Sequence, residues 1–337
     1  MAMPRHIGLD IGTSNMRLFM KGRGIVLRAP TVVAIDKQED SVVALGQDAK
    51  RMIGKTPAHI EACRPVRDGV VSAYSTAVMM LHEHFKKTQA CTVFNRPLAL
   101  VATPCGVTES ESISLENLLF DAGAKAVAFV EAPMSAAIGA GLRVNGSRAC
   151  MIVDIGGGTT DIAVIRSGGI VKSRTLKLGG VKLDYAIMNT IKSKMSLSIG
   201  EISAEMIKVR IGAASPKLNK SAVEVSGRNE KHKCAQTLLI KPEDIYEPIG
   251  AVLDAICRAI LSVVESTPPE IAADISDFGI MLTGGGANIP GIGEYISART
   301  GLRVTVAKNP MDCVALGLGR IIEYPEILSG GILYKNR

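Results

Sequence analysis

Residues 7–20 read IGLDIGTSNMRLFM, and residues 151–165 read MIVDIGGGTTDIAVI. Each is an apolar run, then Asp-Ile-Gly, then a short stretch of small and hydroxyl residues, then a second apolar run. That order predicts a β-hairpin with a glycine- and hydroxyl-lined tip. One such turn says little, because ordinary hairpins also use glycine. Two with the same Asp-Ile-Gly approach, facing each other, would hold a nucleotide's phosphates between two half-molecules. Backbone N–H groups in a tight curve bind anions, and glycine permits both the curve and the close approach. The candidate cradles are Gly12, Thr13, Ser14 and Asn15 on one side, and Gly156, Gly157, Gly158, Thr159 and Thr160 on the other. Asp10 and Asp154 hold the same place in each hairpin. Two carboxylates reaching in from opposite sides would position a hydrated Mg2+, which takes few protein ligands and keeps its waters. The competing reading is an aspartate that only bonds its own turn.

Outward from the hairpins, helices are expected over 75–87, from Thr108 with Glu111 completing a capping box, and after Pro133. Buried strands are expected at 98–102 and 126–130, so strands and helices alternate as in an α/β fold with a partly parallel sheet. The pattern restarts at Arg148. Helices follow near 181–194, 202–212, 292–299 and 313–322, with a long one from Pro242 that Pro268-Pro269 stops. The strand 279–283 runs into Gly284-Gly285-Gly286-Ala287, which lets backbone approach a flat group such as adenine or ribose. The restart implies two domains and a weak internal repeat, visible only in the two Asp-Ile-Gly turns.

The chain has 337 residues, 47% of them hydrophobic and 21% charged, enough for two domains with real cores. No apolar run approaches the roughly 18 residues that span a bilayer. The first strand begins almost at once, leaving no room for a signal peptide, so a cytoplasmic protein is expected. Seven scattered cysteines without a CxxC pair suit a reducing compartment and give no zinc signature. His82 and His84 lie two apart on a helix and read as surface or core residues. The net charge of +7 would favour anionic partners, but aromatic residues are 4% and Trp is absent, which argues against nucleic-acid base stacking. Lys217–Lys233 is basic and polar and reads as an exposed, mobile segment.

The two hairpins and the segments RPVRDGVV (64–71), PMSAAIGAGL (133–142), TPPEIAADI (267–275), LTGGGANIPGI (282–292) and NPMDCVALGLGR (309–320) carry a family resemblance. The chain resembles the actin-like ATPases, specifically the bacterial MreB family and its Mbl- and MreBH-type paralogues, essentially end to end. The resemblance implies two duplicated RNase H-like domains around a nucleotide cleft. Residues 1–143 plus 311–337 would form one, with a small subdomain at about 32–74; residues 144–310 would form the other, with a small subdomain at about 182–250. It implies ATP and Mg2+, with Thr13, Ser14 and Asn15 facing Gly156, Gly157 and Gly158 across the phosphates. The segment AEMIK would place Glu205, Met206, Ile207 and Lys208 at ribose and adenine, and Gly284, Gly285, Gly286 and Ala287 behind the adenosine. It further implies self-assembly into double protofilaments on the inner membrane face, and cell-wall partners such as MreC and RodZ.

Departures from the family pattern are informative. The family usually has two acids before the helix proline, and the second orients the attacking water; here the pair is Glu131-Ala132. A positioned acid or base contributes on the order of 10²–10⁴ in rate, so slow hydrolysis is expected with ATP binding intact. Glu131, Asp161 and Thr160 are the remaining candidates for holding the water, with Asp154 beside the metal. Adjacent residues on an extended segment face opposite sides, which counts against Glu131. Arg17 stands where the family has an apolar residue and would either add charge near the nucleotide or face solvent. Val93 and Phe94, flanked by Lys86, Lys87 and Arg96, suit a membrane wedge among anionic headgroups. The alternatives are a nucleotide-binding scaffold with essentially no turnover and a small-molecule kinase of the same superfamily.

Overall fold

The computed structural model describes residues 5–92, 95–218, 221–328 and 330–336. The first half runs β1 (His6–Ile11), β2 (Asn15–Met20), β3 (Gly24–Pro30), β4 (Val33–Asp36), β5 (Ser41–Leu45), α1 (Gln47–Met52), β6 (Ile60–Cys63), β7 (Val66–Arg67), β8 (Val70–Val71), α2 (Tyr74–Thr88), β9 (Leu98–Thr103), α3 (Glu109–Asp121), β10 (Ala126–Glu131) and α4 (Ala132–Ala140). The second half runs β11 (Cys150–Ile155), β12 (Thr160–Arg166), β13 (Gly169–Leu176), α5 (Gly180–Met195), β14 (Leu197–Ser198), α6 (Glu201–Ile211), β15 (Val223–Asn229), β16 (Ala235–Ile240), α7 (Pro242–Glu265), α8 (Pro269–Phe278), β17 (Ile280–Thr283), α9 (Ile292–Thr300) and β18 (Val304–Val306). The chain then returns through α10 (Cys313–Glu323) and β19 (Lys335–Asn336), the latter on the edge of the first sheet.

The repeat reaches well beyond the two turns. The first sheet has the order β19-β10-β9-β1-β2-β3 and the second β13-β12-β11-β17-β18. In each, an antiparallel three-strand meander continues through its first strand into a parallel pair. In each, a small three-stranded sheet is inserted between the meander and that pair, β5-β4-β6 in one case and β14-β15-β16 in the other. Each large sheet packs its own apolar core, around Leu9, Leu81 and Val101 in the first and around Val153, Ile187 and Ile260 in the second.

A third core joins the halves. Helices α4 and α10 cross between the sheets, burying Ala137, Ile138 and Leu318 with Leu100 from one sheet and Ile152 and Ala163 from the other. A Cβ on Gly139 would lie 1.8 Å from the Cys313 carbonyl oxygen, and one on Gly317 would lie 1.8 Å from that of Ser135. The crossing therefore requires glycine on both helices.

One expectation is corrected and another extended. Lys217–Lys233 does not read as one mobile stretch: residues 223–229 form β15, with Val223 and Val225 in the core. Its apolar residues alternate with polar ones, so a half-buried strand hides behind a basic composition. Pro268-Pro269 stops one helix but also starts the next, because Pro269 sits at the first position of α8, where its missing N–H costs nothing.

Candidate nucleotide cleft

Both Asp-Ile-Gly turns close with the same bond. The N–H of Gly12 donates to the Asn15 carbonyl at 3.1 Å, and that of Gly156 to the Thr159 carbonyl at 2.8 Å. The tips then meet. A Cβ on Gly157 would fall 2.3 Å from Ser14 Oγ, and one on Gly158 would fall 2.3 Å from Thr13 Oγ1. Only glycine lets the second tip come this near the hydroxyls of the first. Around the tips lies a cavity of about 550 Å³, within the size range of ligand pockets. Gly12, Thr13, Ser14 and Asn15 line it from one side, and Gly156, Gly157, Gly158 and Thr159 from the other. Thr31 supports the first tip: its hydroxyl donates to the Gly12 carbonyl at 2.6 Å and its N–H to that of Ser14 at 3.0 Å.

The cavity also takes in Asp10, Asp154, Asp161, Ala132, Glu205, Lys208, Gly284, Gly285 and Gly286. Several expected positions fall outside it. Ile207 is buried in the second core, and Met206 packs against that core, because only Glu205, Lys208 and the exposed Val209 share the cleft-facing side of α6. Ala287 is likewise buried in that core, behind the three glycines. Glu131 ends β10 exposed and outside the lining, while its neighbour Ala132 faces in. Thr160 is fully buried and its hydroxyl donates to the Leu178 carbonyl at 2.7 Å, so it is spent on structure. Val93 and Phe94 lie outside the described residues.

The carboxylates are set differently in the two hairpins. Asp154 accepts from the buried Thr283 hydroxyl at 2.9 Å. Burial, and then the neighbouring Asp161, push its carboxyl up to about 7 despite that bond. Asp161 is also raised by burial, although Thr175 donates to it at 2.5 Å and Thr159 at 3.2 Å. Burial pushes Asp10 up to about 6, against the pull of Arg17. Arg17 does not face solvent: it is buried, with Nη1 3.7 Å from Asp10 and Nε donating to Asp312 at 2.8 Å. Lys208 is fixed beside the cavity by Asp184 and the Gly180 carbonyl, each at 2.8 Å. Two ion pairs bridge the halves over the cleft, Lys50–Glu205 at 2.6 Å and Arg64–Glu201.

The family model described as MreB/Mbl protein matches residues 4–329. The chain belongs to the MreB/Mbl family. It is 39% identical to the cell shape-determining protein Mbl of Bacillus subtilis, over 95% of this chain and 96% of that one. It is 40% identical to the cell shape-determining protein MreB of Escherichia coli K12, over 97% and 95%. The crystal structure of MreB5 of Spiroplasma citri bound to AMPPNP matches with a TM-score of 0.91 at 33% identity, covering 96% of this chain and 97% of that one. The fold is accordingly that of the actin-like ATPases.

As an MreB/Mbl cleft, the site suits a hydrated divalent ion. Among the described residues no cluster of three or more His, Cys, Asp or Glu forms an all-protein metal cage. Mg2+ does not need one, since one or two carboxylates plus substrate phosphates suffice. Asp10 and Asp154 both line the cavity, and the charge of Asp10 raises Asp154 further, so the two share one field. Buried carboxylates held above their usual range gain most from a cation that lets them ionise.

The strand register places two of the charged residues named from the sequence. Arg17 pairs directly opposite Asp10 because the hairpin aligns Ile11 with Met16. The same register aligns Asp161 with Asp154. Asp312 and Arg28 carry no such local signal, because Asp312 comes from 295 residues beyond Arg17.

Proposed function

We propose that this cleft binds ATP with Mg2+ and that the chain is a weak ATPase which polymerises at the membrane. The observation that carries the nucleotide reading is the meeting of two matched glycine turns at one cavity, with a carboxylate entering from each side. Thr13, Ser14 and Asn15 and the backbone of Gly156–Thr159 would hold the phosphates. Asp10 and Asp154 would hold the ion through its waters, and the bound ion would supply charge neutralisation at the phosphates. Glu205, Lys208 and Gly284–Gly286 would flank the nucleoside. Titration with a fluorescent ATP analogue tests this: saturable binding that unlabelled ATP competes away is expected, and its absence with the folded chain overturns the reading.

Weak turnover follows from Ala132. Its methyl faces the cleft where the resemblance expects a water-orienting acid, and Glu131 points elsewhere. Asp161, held by two threonine hydroxyls, lines the cavity beside Asp154 and would order a water in place of the water-orienting acid. Ala132→Glu should raise steady-state phosphate release by about a hundredfold, the lower end of what a positioned acid or base supplies. No gain from that change would remove the assignment. The same methyl supports a second reading, a nucleotide-binding filament scaffold without turnover; phosphate release at background under filament-forming conditions would favour it.

Self-assembly into double protofilaments, a peripheral place on the cytoplasmic face of the membrane, and a role in organising cell-wall synthesis with proteins such as MreC and RodZ rest on the family. No helix among the described residues is long and apolar enough to cross a membrane. Val93 and Phe94 are the proposed wedge; Lys86 and Lys87, a few residues earlier in the sequence, are exposed. Arg96 is already spent on the Gly123 and Ala124 carbonyls, at 3.1 and 2.8 Å. A Phe94→Ser variant that pellets with anionic liposomes as well as the parent would exclude the wedge.

A further inference from the structure

We propose that Arg17 is a built-in cation of the nucleotide cleft, a positioning residue that supplies part of the counter-charge a divalent ion would otherwise provide. The inference rests on the reading of the cleft as a nucleotide site.

Arg17 lies in the middle of β2, directly opposite Asp10 on β1 and directly opposite Arg28 on β3. Residues paired across adjacent strands share one face of the sheet, so a carboxylate and two guanidiniums stand in a row. Two like charges side by side are unfavourable unless something lies between them. Asp312, immediately before α10, does so: it accepts from Arg17 Nε at 2.8 Å and from Arg28 Nη2 at 2.9 Å. These bonds hold the Asp312 carboxyl below its usual range despite its burial. The row of two carboxylates and two guanidiniums is neutral as a set, but its charges are not evenly placed. Arg28 is mostly exposed, whereas the Arg17 side chain is only 9% exposed and borders the cavity.

Geometry leaves Arg17 with capacity to spare. A guanidinium has five donors and stays protonated throughout the accessible pH range. Among the described residues, Nε to Asp312 is the hydrogen bond that Arg17 donates. Nη1 is 3.7 Å from Asp10, an ion-pair distance too long for a hydrogen bond. The Nη groups therefore neutralise Asp10 without being consumed by it. A triphosphate brought against the first tip therefore meets an ion pair rather than a bare carboxylate. In a partly buried site that difference weighs far more than it would in water.

The consequence concerns metal dependence. In a cleft where Asp10 stands alone, the divalent ion must screen both the carboxylate and the phosphates, and chelation cripples binding. With Arg17 in place, chelation removes one cation of two. The test is a titration of the full chain with a fluorescent ATP analogue in Mg2+ and in EDTA, comparing the parent with Arg17→Gln and Arg17→Lys. For the parent, EDTA should weaken affinity by less than about fivefold. Arg17→Gln should widen that EDTA penalty about tenfold, one charge-assisted hydrogen bond's worth. Arg17→Lys should restore it to near the parent's. A purely structural tie between β2 and Asp312 would lower stability in both variants and leave the ratio of the two affinities unmoved, and that result overturns the proposal. Should the Arg17 variants fail to fold, the parent's own EDTA penalty decides: a penalty below about fivefold supports the proposal, and a larger one overturns it. A parent chain that binds no nucleotide in either buffer would instead sink the reading of the cleft itself, and this inference with it.

Discussion

The two hairpins have the same backbone and opposite chemistry. Both turns close with one N–H to carbonyl bond, and both bring an aspartate to the same cavity. In the first, the residue across from that aspartate is Arg17; in the second it is Asp161. One strand further on, Arg17 faces Arg28 while Asp161 faces Thr175. Burial raises both entering carboxyls, but Arg17 pulls against it at Asp10, whereas Asp161 adds to it at Asp154. Repetition of a fold thus fixes where side chains stand and leaves their charge free to diverge. In the proposed site the first half would bring its own cation to the phosphates. The second half keeps an acidic couple, suited to an arriving ion and an ordered water.

The sharpest way to break the comparison is to part the tips. Gly158→Val forces side-chain atoms between the two turns, because even a Cβ there would meet Thr13 Oγ1 at 2.3 Å and the Asp68 backbone at 3.0 Å. Nucleotide affinity should fall at least about a hundredfold, the share of two charge-assisted backbone bonds at about tenfold each. Analogue titration reads this directly, and near-parent affinity would mean that the tips do not hold phosphate together. Next in size is Asp161→Asn, which replaces the acidic couple by a single charge. Turnover should drop by about a hundredfold, while affinity in Mg2+ should hold or rise, because Asp154 loses a repulsive neighbour. Phosphate release and titration on the same preparation separate the two effects. An equal loss in both would assign Asp161 to binding instead.

Much of this site was legible in the sequence because its decisive residues are local. Each glycine turn lies immediately beside its aspartate in the chain, so the residues of both turns and both aspartates, which the fold brings to one cavity, could be named from spacing. Helix α6 shows where such reading stops. A four-residue match marks Glu205 to Lys208 equally, but a helix turns about 100° per residue, so Ile207 and Met206 rotate onto the core while Glu205 and Lys208 face the cleft. Ala287 fails for the same reason, since the chain turns into a short 3-10 helix at Gly285. The repeat of the two sheets was invisible beyond the turns. Equivalent strands need only equivalent apolar patterns, and those do not demand matching residues. Asp312 was out of reach altogether, because its partners lie at the other end of the chain.

Asp312 also provides the third test. Asp312→Ala leaves Arg17 and Arg28 directly opposed with nothing between them. The loss should be about 2 kcal/mol in chemical denaturation, the scale of a part-buried bond to a charged partner. Arg28→Ala in the same background should recover part of it by removing the repulsion. If Asp312→Ala costs nothing, the row of charges in the first hairpin is not holding that half together.

The smallest effects separate burial from charge. Thr175 is neutral, yet its hydroxyl donates to the buried Asp161 at 2.5 Å. Thr175→Val keeps the shape and removes the donor, leaving one carboxylate oxygen without that bond, at a cost of about 1 kcal/mol. Arg28 carries a full charge and several bonds to Asp312, but its side chain is 57% exposed. Removing an exposed ion-pair partner costs between about 0 and 1 kcal/mol, because water and salt already screen it. Arg28→Ala alone should therefore destabilise less than Thr175→Val, although it deletes more atoms and a formal charge. Thr175→Ser, which retains the hydroxyl, should stay close to the parent. The reverse order, with the arginine loss the larger, would mean that the first hairpin depends on its outermost charge. The ladder of alternating charge would then matter more than the buried hydroxyl contact that stands in the equivalent place of the second.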